Sequence, residues 1–524
     1  MVSEALFISF ILTSLFVVPT TTHNNNNDEG FISLLISQKG LNFTKDILIS
    51  SLTPLQLPQI TKSKKIPLVG DVEFTLSNIT VYKVDVISSY VKSGDKGVAI
   101  AVLGATANIS LCWGYSYSNW VFEVTDNGRA EVQYQKQVKE IIKRSKHLSG
   151  CLTTLYLVRL FDLIIGGKVE GMESGLTLGL ENLEGTLKLF LIECSCYVKD
   201  ITITLDGGAS WLYQGLVDTF EEQIRSTIEN GITNKIREGI IQLDSLLESL
   251  PQEIPVDDVA VLNVTFTNDP LLSDSSIEVE ISGLFSSADK VVVPSYDHSI
   301  SQPSFPCKGL EKMLEISLDE HVFNSGSETY FKAGLLQWIV NKVPDQHLLN
   351  TASWKYIVPQ LYKKYPNYDM NLNISLSSPP VIRISSPHDI DATIYSDVTI
   401  DVLDFHETTP VACVSLVISA SGSVKIRGNN LSGSLKLDGF TLSLKWSKIG
   451  NFHLHLIQSV TRTFIKTVAL PYANLRLTKG FPLPILRGFT LQNAEILCSY
   501  SKILICSDVE FNRESDLMHL PLES

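Results

Sequence analysis

The chain has 524 residues, 44% hydrophobic and 19% charged, with 42 Lys and Arg against 56 Asp and Glu, a formal net charge of −14. That length allows two or more domains with sizeable cores. The acidic balance argues against a general nucleic-acid binder, whose affinity rests on neutralising phosphates.

The chain begins MVSEALFISFILTSLFVVPTTTHNNNND, with an apolar run over 5–18 and small residues near Thr20–Thr22. This pattern predicts a cleaved secretory signal over residues 1–22, because the run is short for the ~20 residues of a membrane span. Six sequons, at Asn42, Asn78, Asn108, Asn263, Asn373 and Asn430, agree with secretion as a glycoprotein. Residues 30–70 then hold Lys39, Lys45, Lys62, Lys64 and Lys65 against Asp46 alone, a local surplus in an acidic protein. Lys62, Lys64 and Lys65 crowd together in TKSKKIPLVG. A solvated loop and an anion contact both fit.

Most of residues 66–207 reads as strands. VEFTLSNITVYKVDV and TLKLFLIECSCYVKDITITL alternate apolar and polar residues over long runs. The apolar face shifts near Asn78–Val81, which predicts a bulge or strong curvature. Residues 136–167 interrupt this pattern with a basic stretch followed by an apolar one. They are expected to loop out, as a surface excursion, an interfacial helix or a retained intron in the gene.

From Trp211 to Leu250 the period becomes helical. Leu212, Leu216, Phe220, Ile224, Ile228, Ile232, Ile236 and Ile240 recur at every fourth position. At 3.6 residues per turn such a row drifts by ~40° each step and winds around its helix. It suits a long helix lying in the hollow of a strongly twisted sheet. Residues 286–306 are rich in Ser and Pro and read as a linker. Beyond them a helical stretch (SETYFKAGLLQWIVNKV), several alternating segments, a helix around 452–470 and terminal strands repeat the earlier order of elements.

The segments LQLPQITKSKKIPLVG, GGASWLYQG, NISLSSPP, GSLKLDGFTLSLKWSKIGNFHLHLIQ and KGFPLPILRGFTLQNAEI follow one another across residues 30–510. With them the chain resembles the family of bactericidal/permeability-increasing protein and lipopolysaccharide-binding protein, specifically its plant members. The resemblance implies an α+β fold: an elongated two-barrel boomerang, each half a highly twisted antiparallel sheet wrapped on a long helix, joined by a central sheet. The N-terminal barrel would span 29–285, with 136–167 as an atypical insertion, and the C-terminal barrel 307–511. Each barrel would hold acyl chains in an apolar pocket, with Leu212, Leu216, Phe220, Ile224 and Ile228 lining the first. Lys62, Lys64 and Lys65 fall in the segment that meets lipid headgroups in the animal proteins.

Eight cysteines in a secreted chain can pair in many ways. Cys498 and Cys506 bracket SYSKILI as a plausible hairpin closure, and Cys194 and Cys196 would share a strand face. The resemblance implies a bridge from such a strand cysteine to the long helix. Residues 211–250 contain no cysteine, which leaves Cys112 as a possible substitute partner. No metal or cofactor is expected, and no nucleophile elbow, His-Glu-x-x-His, phosphate loop or dinucleotide fingerprint is present to suggest an enzyme. The expected function is that of a secreted lipid-binding protein in defence against bacteria. It would recognise lipopolysaccharide or related anionic amphiphiles on a bacterial envelope or membrane surface. An extracellular phospholipid carrier and a scaffold without a ligand remain the alternatives.

Overall fold

A computed structural model of the chain describes residues 30–51, 54–66, 70–118, 123–130, 164–206, 210–287, 307, 311–341, 349–385, 389–404, 407–450, 454–486 and 488–512. The expected signal over 1–22, most of the linker and most of the 136–167 segment lie outside these residues. Among the described residues no helix is long and apolar enough to cross a membrane.

After β1 (Ile32–Ser37) and helix α1 (Gln38–Ser51), the first half builds one antiparallel sheet. Its strands are β2 (Leu55–Leu57), β3 (Ile60–Ile66), β4 (Gly70–Asp85), β5 (Ser88–Gly94), β6 (Gly97–Ser118), β7 (Glu123–Ala130), β8 (Ile164–Leu183) and β9 (Thr186–Asp206). The order is β2-β4-β6-β8-β9, with β3 added to β4 and both β5 and β7 added to β6. The predicted shift of face is a bulge. Pairing of β4 with β6 slips between Ser77 and Thr80, where Asn78 takes φ +50°. Beyond the slip Ile79 and Val81 are buried, so the extra residue turns the apolar face inward and bends the sheet. Ile164–Gly167 pair with Ile203–Asp206 as the start of β8, so these last residues of the expected excursion are strand.

Helix α2 (Ser210–Glu248) is about 58 Å long at 1.5 Å per residue. It lies along the gap between the two edge strands of the sheet, β2 and β9. A Cβ on Gly231 would run into Leu57 of β2, so the glycine permits close approach there. On the other side Glu229 accepts a hydrogen bond from the Val198 N–H (2.8 Å) and Asp244 from the Leu189 N–H (2.7 Å), both on β9. Edge N–H groups that would otherwise stay unpaired are thereby satisfied by the helix.

Short strands β10 (Glu253–Pro255), β11 (Ala260–Asn263), β12 (Leu271–Ser273), β13 (Ser276–Ile281) and β14 (Phe285–Ser287) follow. Ser286 and Ser287 pair with β11, so strand extends two residues into the expected linker. Past the linker, β15 (Leu314–Asp319) joins a central sheet of order β12-β13-β1-β15-β24-β23, closed by β23 (Phe489–Ser499) and β24 (Lys502–Phe511). One face is apolar, with Ile32, Ile281, Ile316, Leu318, Ile503 and Ile505 each 2% exposed or less. The other carries carboxylates: Leu35 pairs with Glu278 on one side and Glu315 on the other. Burial, then Glu280, pushes the Glu278 carboxyl above its usual range. Burial and the nearby Glu278 do the same to Glu315, while the Cys307 N–H at 2.8 Å opposes the shift.

The second half repeats the plan with one correction. The helix expected over 327–343 is α3 (Glu320–Lys332), capped by Asp319 accepting from the His321 N–H, and it stops before Gly334 at φ +69°. Glycine at positive φ ends the helix, and the β-forming QWIV becomes β16 (Gln337–Val340). After α4 (Pro359–Lys364) come β17 (Asp369–Leu376), β18 (Val381–Ser385), β19 (Asp389–Leu403), β20 (Thr408–Arg427), β21 (Asn430–Ser447) and β22 (Phe481–Pro482). The sheet runs β16-β17-β19-β20-β21-β22, with β18 on β19. Its helix comprises α5 (Leu454–Phe464), a π-turn (Ile465–Ala469) and α6 (Leu470–Leu477). Pro471 cannot donate to the preceding turn, and the ladder widens just before it. Asn474 clamps β21, accepting from the Leu435 N–H (2.7 Å) and donating to its carbonyl (3.0 Å). The predicted duplication of architecture is present.

Cys506 is bonded to Cys307 across a sequence separation of 199, not to Cys498. A hairpin bond is out of reach there, because Cys498 lies opposite Ile503 and Cys506 opposite Glu495, three positions away and on the other face of the ladder.

Candidate functional site

The apolar row behaves differently along the first helix. Ile224 and Ile228 are 1% exposed and Ile232, Ile236 and Ile240 are 6–7% exposed, packed against the sheet with Ile79, Ile109 and Val198. Ile224 and Ile228 therefore have no room for a ligand beside them, and the pocket predicted around them is filled by the sheet. Leu212, Leu216 and Phe220 belong to the first turns of α2, whose side chains lie outside the described residues. Packing is looser at the other end of the helix. There Leu243 and Leu247 are only half-buried, as are Leu176, Leu180 and Leu191 of β8 and β9 at the edge of the same core.

In the second half the inner face is half-buried along most of its length. Cross-strand pairing sets Trp338, Ile374, Val398, Val414 and Leu444 in one row across β16, β17, β19, β20 and β21. A neighbouring row contains Ile394, Ile418 and Phe440. All of these except Val414 keep exposed area. Val460, Phe464 and Val468, spaced four apart on the helix opposite, are half-buried too. Helix and sheet do not close on each other, leaving an apolar groove; the resemblance implies a pocket in this half but names no residue for it. Its signal was the same i, i+4 spacing, shorter and broken by Pro471.

The lysines divide. Lys39 pairs with Asp508 at 2.9 Å, and Lys45 is buried, bonding Ser89 at 2.6 Å. Lys62, Lys64 and Lys65 are exposed on β3. Strand alternation puts Lys62 and Lys64 on the face of the buried Ile60, and Lys65 on the opposite face, directly across from Asp71. Lys62 and Lys64 thus share one face of β3, and Lys65 lies on the other, opposite Asp71 in the register. The pair sits toward the end of the sheet where α2 begins. From Gly231, beside β2, to Leu247 is a further ~24 Å along the helix. The lysines and the Leu243–Leu247 region thus lie at different places along the domain.

Cys194 and Cys196 point into the core and Cys112 away from it, so the sheet separates them, and all three are thiols. Burial, then the Glu229 carboxylate, pushes the Cys196 thiol up to about 12. It is an inert core thiol. Cys413 is buried and forms no disulfide. A cavity of about 420 Å³ opens at the Asn78 bulge, but Gln56, Gln59, Ser77, Thr80 and Ser110 make it polar, unsuited to hydrocarbon. Of the sequons, Asn78, Asn373 and Asn430 are exposed, Asn42 and Asn108 half-buried, and Asn263 bonds its own Thr265.

Two sequence profiles match this arrangement of paired sheet-and-helix halves. The N-terminal domain of the LBP/BPI/CETP family matches residues 40–250 and the C-terminal domain residues 255–511. The chain belongs to this family. An Arabidopsis thaliana protein named for the BPI/LBP family is 50% identical over 513 residues, covering 96% of this chain and 97% of its own. This is therefore a plant member. Bactericidal permeability-increasing protein of Sebastes schlegelii is 24% identical, covering 92% of this chain and 95% of its own. Human lipopolysaccharide-binding protein is 22% identical, covering 91% and 93%. A crystal structure of lipopolysaccharide binding protein superposes with a TM-score of 0.61 at 18% identity, over 93% of this chain and all of that one. The fold is the family's boomerang.

Proposed function

We propose that this LBP/BPI/CETP-family protein is secreted and binds amphiphiles with anionic headgroups, lipopolysaccharide or related bacterial lipids among them, in defence against bacteria. The observation that carries this reading is the half-buried apolar surface between helix and sheet in both halves. Each buried methylene contributes about 0.8 kcal/mol, so acyl chains alone hold a lipid without any catalytic group. Lys62 and Lys64 meet phosphates of a membrane or lipid aggregate, apart from the lipid held near Leu243 and Leu247. Kinship with animal proteins named for lipopolysaccharide binding supports the ligand class. The Cys307–Cys506 bond and the signal-like N-terminus support the secretory route.

Lipid extraction and mass spectrometry of the purified secreted protein test the pockets. If nothing copurifies and nothing is taken up, the halves are closed scaffolds and the reading fails. Titration with purified lipopolysaccharide across salt tests the lysines. Replacing Lys62 and Lys64 together by Ala should weaken binding roughly tenfold at low salt, at ~1 kcal/mol or less per lysine, and flatten the salt dependence. Lys65→Ala should change little. A second reading, a carrier of phospholipids, draws on the C-terminal groove, whose described lining has no lysine pair like that of β3; equal affinity for lipopolysaccharide in the double variant would favour it.

A further inference from the structure

The two seams of the C-terminal groove are built from different chemistry. Against β21, the helix is fastened by the paired hydrogen bonds of Asn474 to the Leu435 backbone. Against β16, at the opposite edge of the same sheet, the contact is aromatic. Trp338 stacks on Tyr472 with centroids 5.1 Å apart and planes at 19°, and meets Phe464 at 6.2 Å. Trp338 is half-buried and shares the inner face with Val340, while Tyr472 is 49% exposed at the rim.

Backbone-directed hydrogen bonds at a sheet edge are costly to break, because they leave polar groups without partners. A ring stack parts at lower cost when hydrocarbon replaces the ring as a neighbour. On the elements flanking this seam Leu335, Ile339 and Leu475 are 54–67% exposed, an apolar approach from solvent. Arg476 stands beside it, a guanidinium nitrogen 3.5 Å from the Tyr472 hydroxyl and the group over the ring. Guanidinium is suited to phosphate.

We propose that acyl chains of an anionic phospholipid enter and leave the C-terminal groove through the seam between β16 and α6. Trp338 and Tyr472 form the closure and Arg476 meets the phosphate. This rests on the reading that the protein binds lipid, and the experiment separates the two. The full-length protein is loaded with phosphatidylglycerol bearing a photoreactive acyl chain, then chased with unlabelled phosphatidylglycerol vesicles. Label remaining on peptides from β16, β21 and α5–α6 is read by mass spectrometry after illumination.

Trp338→Ala should release label roughly tenfold faster than wild type, with Trp338→Phe intermediate. Tyr472→Leu, which keeps an apolar side chain on the exposed rim, should also speed release. Lys436→Ala, an exposed substitution on β21 that leaves the Asn474 clamp in place, should leave the rate unchanged. Unchanged rates in both aromatic variants, or equal acceleration by Lys436→Ala, would overturn the portal while lipid binding stands. Absence of label from the wild-type groove removes the binding reading and the portal with it.

Discussion

At the scale of single residues, burial and strand parity decide what each side chain does. The row of isoleucines at every fourth position was legible as an inward face, because spacing alone fixes it. Whether that face would touch protein or hydrocarbon was not legible, since this depends on how closely a curved sheet approaches. The lysine triplet shows the same limit. Three neighbours read as one knuckle, yet alternation in β3 sends Lys65 across from Asp71 and leaves Lys62 with Lys64. Glu315 gave no signal at all: its burial arises from strands far apart in sequence. Its raised pKa means that the folded protein keeps this proton at a pH where the unfolded chain has released it. Between the ordinary glutamate value, about 4.3, and the raised one, stability therefore falls as pH rises. Glu315→Gln keeps an acceptor for the Cys307 N–H but removes the charge. Urea midpoints should match wild type below that window and exceed it above, and identical pH slopes for the two proteins would refute this account.

At the scale of elements, helices and strands were legible wherever one period ran long. α2 and the strands β4 and β9 fall where periodicity places them. The helix expected over 327–343 failed because a periodic window ran through Gly334, where the backbone turns to positive φ and QWIV finds a partner in β17. How the helices attach was not legible, since a polar residue on a helix face looks solvated in sequence. Glu229, Asp244 and Asn474 instead serve the bare edges of sheets. Asp244→Ala should cost about 1–3 kcal/mol by leaving the Leu189 N–H without its acceptor, and Asp244→Asn distinctly less. Chemical denaturation, with hydrogen exchange at Leu189, measures both. Loss of stability without faster exchange at that amide would place the effect elsewhere.

At the scale of the whole molecule, the resemblance supplied the two halves and their central sheet. The covalent tie within the second half, from the end of the linker to the central sheet, came only from the structure. Two cysteines separated by 199 positions carry no local signal, whereas Cys498 and Cys506 frame a hairpin and attracted the expectation. A loop of that size gives a disulfide large leverage on the unfolded chain. Cys307→Ser should lower stability by about 2–5 kcal/mol, and reducing the wild type should lower it equally. A reductant that weakens the variant as much as the wild type would assign the effect to something other than this bond.

The placement of β1 has a consequence for how the protein is made. Residues 32–37 are among the first to leave the ribosome, yet their neighbours in the central sheet are β13 and β15, and β15 is completed only by β24 near the C-terminus. At ~5–20 residues per second β1 waits tens of seconds for β15, and β15 then waits for β24. First β1 and then β15 thus presents an unpaired edge open to any passing chain. Nascent protein must therefore be shielded until translation is nearly finished, and a product terminated after residue 287 would carry that vulnerability permanently.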